Sequence, residues 1–246
     1  MNLIQSIILG IIQGLTEFLP VSSSGHLALL QNYFGEVSIS MDVVLHMATL
    51  LAVVVYFFKD ILQIIKGFFS FNWKNENFRI AIYLIIATIP AGIVGMLLKP
   101  VIEGAFHNYY FLAAGFFISG VFLFSASFVA RRDKELKFGN TLLVGIAQAL
   151  AVFPGISRSG ATVSTGVLSG VERQKAVRFS FLLSIPIIIG ANITELVSIS
   201  NISFGLIIPG FLAAFIFGLL AIFIFLRYIK LKNFKWFAYY CWLLAL

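Results

Sequence analysis

Residues 80–98 and 206–226 contain no charged side chain. Each run is close to the ~20 residues that cross a bilayer as a helix. A chain with several such runs has few folds open to it. Composition narrows them further: 60% of the 246 residues are hydrophobic, 11% are charged, and the mean hydropathy is +1.01. A soluble domain has roughly 25% charged residues. A transmembrane β-barrel would alternate polar and apolar residues, whereas these runs are continuous. The expected class is an all-α polytopic membrane protein, one integral membrane domain over residues 1–246.

The net charge of +7 is explained by where the cations fall. Fifteen of the seventeen Lys and Arg lie at 59–79, 131–137, 173–178 and 227–235, always between apolar segments. Cytoplasmic loops carry such an excess, so no nucleic-acid partner is expected. Lys99 follows an apolar run and is expected to snorkel at a helix end. Arg158 is then left over. The single cysteine, Cys241, excludes an internal disulfide and a thiolate metal site. No Lys or Arg precedes Lys59. The chain start therefore lacks the basic region of a secretory signal peptide and is expected to persist in the mature protein.

A short pattern occurs twice, 135 residues apart. Aligned without a gap, 10–25 and 145–160 share eight identities in sixteen positions: Gly10/Gly145, Ile11/Ile146, Gln13/Gln148, Leu15/Leu150, Phe18/Phe153, Ser22/Ser157, Ser24/Ser159 and Gly25/Gly160. Each copy breaks an apolar segment with proline, glycine and serine. Spans are expected at about 41–58, 80–98 and 109–130 after the first copy. After the second they fall at 179–195, 205–226 and 236–246, the last being short. With the basic loops inside and the loops 31–40 and 196–204, which carry no Lys or Arg, outside, the two sets of three run in opposite orders. The hairpin at 1–34 then dips in from outside and that at 139–170 from the cytoplasm. The expectation is an inverted-topology repeat (1–135 and 136–246), each half one re-entrant helical hairpin plus three transmembrane helices. Irregular backbone at membrane depth must be buried in protein or line a wet cavity. The two breaks should therefore meet around a polar chamber near the midplane.

The copies differ in their ionisable groups. Glu17 and His26 stand in the first and Arg158 in the second. A carboxylate inside a membrane costs about 2.5–3.5 kcal/mol by insertion scales and needs a partner, metal or proton. Gln13 lies one turn before Glu17 on the same face, and the two offer oxygens to a divalent cation, Mg²⁺ or Ca²⁺. His26 can act as acid, base or nucleophile. Arg158 suits a phosphate clamp, and Ser157, Ser159 and Thr162 surround it with hydroxyls near a helix start. Plainer readings stand beside these. Glu17 could be solvated at the mouth, His26 a turn residue, and the hydroxyls helix caps. Arg158 could be an ion-pair partner of Glu17 across the repeat. His46, inside a span, is read as structural, and His107, in a polar loop, is assigned no role.

Residues 10–26 and 154–162 resemble the undecaprenyl pyrophosphate phosphatase, or bacitracin-resistance, family. Its motifs are [E/Q]xxxE with a Ser-rich stretch ending in Gly-His, and PGxSRSxxT. Here they read Gln13–Glu17 with Ser22-Ser23-Ser24-Gly25-His26, and Pro154-Gly155-Ile156-Ser157-Arg158-Ser159-Gly160-Ala161-Thr162. Gln13 stands where many relatives have Glu. The resemblance implies a metal-dependent enzyme of the bacterial cytoplasmic membrane, its site open to the outer side. It would hydrolyse undecaprenyl diphosphate and so recycle the lipid carrier of cell-wall synthesis. Glu17, His26, Ser23 and Arg158 would be catalytic; Ser22, Ser24, Ser157, Ser159 and Thr162 would bind substrate; Gln13 and Glu17 would hold the metal. The nucleophile stays open among Ser23, His26 and water. The partners are a polyprenyl diphosphate lipid and the bilayer, with a homodimer as one option. A transporter or flippase of polyprenyl phosphate is the alternative from another class. An acid-phosphatase-like lipid phosphatase is a weaker one, since the chain has no Lys-x6-Arg-Pro element.

Overall fold

The computed structural model describes residues 1–35, 39–129, 134–195, 204–229 and 234–246. The remainder takes in most of the 196–204 loop and parts of the expected loops 31–40, 131–138 and 227–235. Twelve helices are described: α1 (Leu3–Phe18), α2 (Ser23–Phe34), α3 (Ile39–Tyr56), α4 (Phe58–Phe68), α5 (Glu76–Leu97), α6 (Lys99–Phe106), α7 (Tyr109–Ser127), α8 (Phe138–Leu150), α9 (Arg158–Leu168), α10 (Arg173–Glu195), α11 (Phe204–Tyr228) and α12 (Lys235–Leu244). Their ends follow local chemistry. Asn2 and Gln5 form a capping box at α1, with bonds of 2.7 and 2.9 Å. Asn75, Asn108 and Ser157 cap α5, α7 and α9.

Among the described residues, four helices are long and apolar enough to cross a membrane: Glu76–Leu97, Tyr109–Ser127, Arg173–Ile193 and Phe204–Tyr228. α5 exposes Ile85, Ile89 and Ile93, and α11 exposes Ile208, Leu212 and Ile216. These are stripes with the four-residue period of one helix face, as expected of surfaces facing lipid.

Three expected segments differ. The span placed at 41–58 ends at Tyr56, and the chain turns by 79° into α4, inside what was expected to be loop. Ile61, Ile64, Ile65 and Phe68 recur at helical spacing between Lys59, Asp60 and Lys66. Such a helix is suited to lie in the interface rather than across it. A second unanticipated helix, α6, follows with Pro100 in its first turn. The segment 236–246 forms only the 10-residue α12. At 1.5 Å per residue it is about 15 Å long, half the ~30 Å hydrocarbon core.

The two motif helices pack against helices from the other half of the chain. α1 lies on α11, and α8 lies on α5. α3 packs on α10, and α7 on α12. Small residues set the closeness. A methyl on Gly10 would come within 2.3 Å of the Gly210 carbonyl oxygen, and one on Gly14 within 2.6 Å of the Ala214 oxygen. Gly145, the counterpart of Gly10, meets Ala87 in the same way at 3.0 Å. Gly14→Val is therefore expected to destabilise by about 1–3 kcal/mol, the usual cost of overpacking. A melting temperature in detergent equal to wild type would contradict so tight a crossing. Beneath the motifs, Phe18 meets the Phe181 ring edge-on at 5.3 Å, and Phe181 meets Phe225 at 5.9 Å. This plug supports the end of α1, where the charged groups begin.

Candidate active site

The two breaks are built alike. In each, the first serine of the pattern caps the next helix. Ser22 Oγ accepts from the Gly25 amide at 3.3 Å, and Ser157 Oγ from the Gly160 amide at 3.0 Å. Each cap also lies near the serine two residues on: Ser22 to Ser24 at 3.4 Å, Ser157 to Ser159 at 3.3 Å. Ser22 sits at φ 67°, ψ 94°, a strained conformation for a residue with a Cβ, and such strain gathers at functional sites. Gly155 takes φ 85° in the second break. A methyl on Gly115 would come within 2.7 Å of its Cα. Ser119 Oγ fixes the same loop, donating to the Gly155 carbonyl at 3.0 Å and accepting from the Ser157 amide at 2.7 Å.

The breaks meet at Glu17. Arg158 Nη2 donates to Glu17 Oε1 at 2.5 Å, and Ser23 Oγ donates to Oε2 at 2.6 Å. Ser23 and Arg158 occupy aligned positions of the two copies. One carboxylate thus receives the equivalent residue from each hairpin. Gln13 Nε2 adds a bond to Oε2 at 3.1 Å. The side chains of Glu17 and Arg158 are only 6% and 12% exposed, so neither charge is offset by bulk water. Arg158 Nη1 donates to the Ser180 carbonyl at 3.3 Å. The hydrogen bonds described thus use two of its five N–H donors. A second tie crosses between the breaks: Ser159 Oγ donates to the Leu19 carbonyl at 3.1 Å. Thr162 Oγ1 bonds the Arg158 carbonyl and Ser180 Oγ, both at 2.7 Å.

His26 does not join this cluster. Its Nδ1 lies 2.7 Å from the Ser22 carbonyl and its Nε2 2.8 Å from the Tyr240 hydroxyl. It is 8% exposed, lies flat against Tyr240, and meets Phe116 edge-on. His46, read from sequence as structural, lies instead beside the carboxylate, its Nε2 3.9 Å from Glu17 Oε2. Its Nδ1 is held by the Asp42 carbonyl at 2.7 Å. Thr49, one turn on, lies 3.4 Å from Gln13 Nε2. The rule that an intramembrane ionisable residue reads as functional by default would have kept His46 in view. Tyr240 had no such signal.

Among the described residues no three His, Cys, Asp or Glu side chains converge. Gln13 Oε1, however, is buried without a hydrogen-bond partner among those residues, beside the carboxylate its own amide group holds. One amide oxygen and one carboxylate fit Mg²⁺, which takes few protein ligands and completes its shell with water and substrate phosphates; Ca²⁺ asks for six to eight oxygens.

The sequence of residues 6–246 matches the model of the family described as bacitracin resistance protein BacA. An undecaprenyl-diphosphatase of Christiangramia forsetii is 41% identical over 256 residues, covering 100% of this chain and 97% of that protein. One from Thermosipho africanus is 42% identical over 243 residues, covering 98% and 96%. One from Methanosphaera stadtmanae is 39% identical over 266 residues, covering 100% and 96%.

Proposed function

The chain belongs to the bacitracin resistance protein BacA family, and on that premise we propose how its paired hairpins work. It is a multi-pass membrane phosphatase that hydrolyses undecaprenyl diphosphate to undecaprenyl phosphate and inorganic phosphate. The reaction recycles the lipid carrier of cell-wall synthesis. The observation that carries the mechanism is the convergence of Ser23 and Arg158 on the two oxygens of Glu17.

The diphosphate head enters between the two breaks while the polyprenyl tail stays in lipid. Arg158 turns its fork from Glu17 to the phosphates and offsets charge on the transferring group. Ser23 Oγ attacks the terminal phosphorus, and its proton passes to Glu17 Oε2, which already accepts it in a hydrogen bond. The bond from phosphorus to the bridging oxygen breaks, and undecaprenyl phosphate leaves. Water then attacks the phosphoserine. The Oγ–phosphorus bond breaks, Ser23 recovers its proton from Glu17, and inorganic phosphate departs with both water hydrogens. Ser22 and Ser157 hold the loops as caps; Ser24, Ser159 and Thr162 complete the hydroxyl shell around the head group. Mg²⁺, held by Gln13 Oε1 and Glu17, would supply further neutralisation of the phosphate oxygens. His26 would give a proton from Nε2 to the departing undecaprenyl phosphate oxygen and regain it from solvent.

The arrangement we infer is an inverted repeat with re-entrant hairpins. Exchanging the halves maps the α1–α11 contact onto α8–α5 and leaves the α3–α10 and α7–α12 pairs in place, which supports this reading. The site would open to the outer side of the bacterial cytoplasmic membrane, a reading that the positive-inside assignment of the basic loops supports.

The test is phosphate release from undecaprenyl diphosphate by purified protein in detergent. EDTA is expected to lower the rate at least tenfold and Mg²⁺ to restore it; a rate indifferent to EDTA removes the metal from the scheme. Acid quench with substrate labelled at the terminal phosphorus is expected to trap label on Ser23. Its absence there would return the nucleophile to His26 or water. No phosphate release, with movement of polyprenyl phosphate in proteoliposomes, would favour a transporter.

A further inference from the structure

We propose that Tyr240 is the positioning residue for His26, acting through a single hydrogen bond from the last helix of the chain. The proposal rests on the phosphatase reading above.

A carbonyl oxygen only accepts, so the 2.7 Å contact with the Ser22 carbonyl places a hydrogen on His26 Nδ1. In the neutral ring Nε2 then carries the lone pair, and at 2.8 Å the Tyr240 O–H donates to it. Should Nε2 gain a proton, the same hydroxyl oxygen can accept from it. The Tyr240 hydroxyl can therefore follow His26 through both protonation states without moving. The rings lie 5.7 Å apart and 8° from parallel, and Phe116 closes the third side at 5.5 Å. His26 is thus held in both ring orientation and tautomer, as second partners of functional histidines commonly hold them.

The residues beside Tyr240 keep its hydroxyl in register. Cys241 Sγ donates to the Pro20 carbonyl at 3.7 Å, and Trp242 Nε1 donates to the Phe117 carbonyl at 3.2 Å. A methyl on Gly120 would lie 2.2 Å from Trp242 Nε1. Three successive residues of α12 therefore tie to α2, to the first break and to α7. A helix too short to cross the membrane has instead a positional duty at the site. His26 is buried, whereas Tyr240 is 41% exposed, and the contact between them is part-buried.

Tyr240→Phe keeps the stacked ring and removes only the hydroxyl. The expected result is a five- to tenfold fall in kcat for phosphate release with KM within twofold of wild type and an unchanged melting temperature. In a His26→Ala background the same replacement should change kcat by less than twofold, because its whole effect runs through His26. Nitrogen NMR of histidine-labelled protein reads the bond directly. The His26 Nε2 resonance, assigned by its loss in His26→Ala, should move in Tyr240→Phe toward that of a nitrogen without a hydrogen bond. Wild-type turnover in Tyr240→Phe, an additive loss in the double variant, or an unmoved Nε2 resonance would each overturn the proposal. The NMR measurement needs no turnover. If wild-type protein released no phosphate, the phosphatase reading would fail while the bond could still be read.

Discussion

Glu17→Gln is expected to lower kcat/KM for undecaprenyl diphosphate by about 10³-fold, within the 10²–10⁴ range that a positioned general base contributes. The amide keeps the size of the carboxylate and can still accept a bond from Ser23 through its oxygen. It cannot take the Ser23 proton, and it leaves the Arg158 guanidinium without its counter-charge. Removing one partner of a buried ion pair costs about 3–5 kcal/mol, so the melting temperature should fall as well. Two causes of lost activity must then be separated. Replacing both residues, Glu17→Met with Arg158→Met, removes both charges from a site where their side chains are 6% and 12% exposed. Apolar replacement of a whole buried pair is often neutral for stability. The double variant should therefore regain most of the melting temperature while remaining inactive. Turnover of Glu17→Gln within tenfold of wild type, or an active double variant, would reduce the pair to a structural tie.

Arg158→Lys is expected to cost about 10²-fold in kcat/KM, ~2.7 kcal/mol by rate arithmetic. The charge is kept, so attraction of the diphosphate head should change little. The planar fork is lost, and with it the ability to hold the Ser180 carbonyl and Glu17 at once and to meet a phosphate with two parallel bonds. The loss should fall mainly on kcat, because the transferring group is what the fork orients. Near-normal turnover in the same phosphate-release assay would remove the clamp role.

Several features of the site follow from residues close together in sequence. The serine caps of α2 and α9 are three-residue interactions, and the positions of Ser22 and Ser157 in the repeat announce them. The ion pair between Glu17 and Arg158 was among the plain readings of the sequence, since an intramembrane charge needs a partner and few are available. The short α4 was missed because its charge cluster reads as a loop, and α6 because Pro100 and Gly104 directly after an apolar run read as a break. An amphipathic helix in the membrane interface has the same composition as such a loop and differs only in spacing.

The charge-free runs, the proline and glycine breaks and the duplicated serine pattern determined a helical membrane protein with two matched hairpins. Those signals are local, arising from backbone satisfaction in lipid and from caps reaching three residues along the chain. Which groups share one carboxylate was decided only by tertiary packing. The glycine-lined crossing of α1 on α11 and the meeting of the two breaks bring Ser23 and Arg158 to opposite oxygens of Glu17. The same packing sets His46 beside Glu17 and turns His26 toward Tyr240, 214 residues away. No period or spacing encodes a contact of that kind. It depends on which helix faces fit at close range, and that is settled only when all the helices pack together.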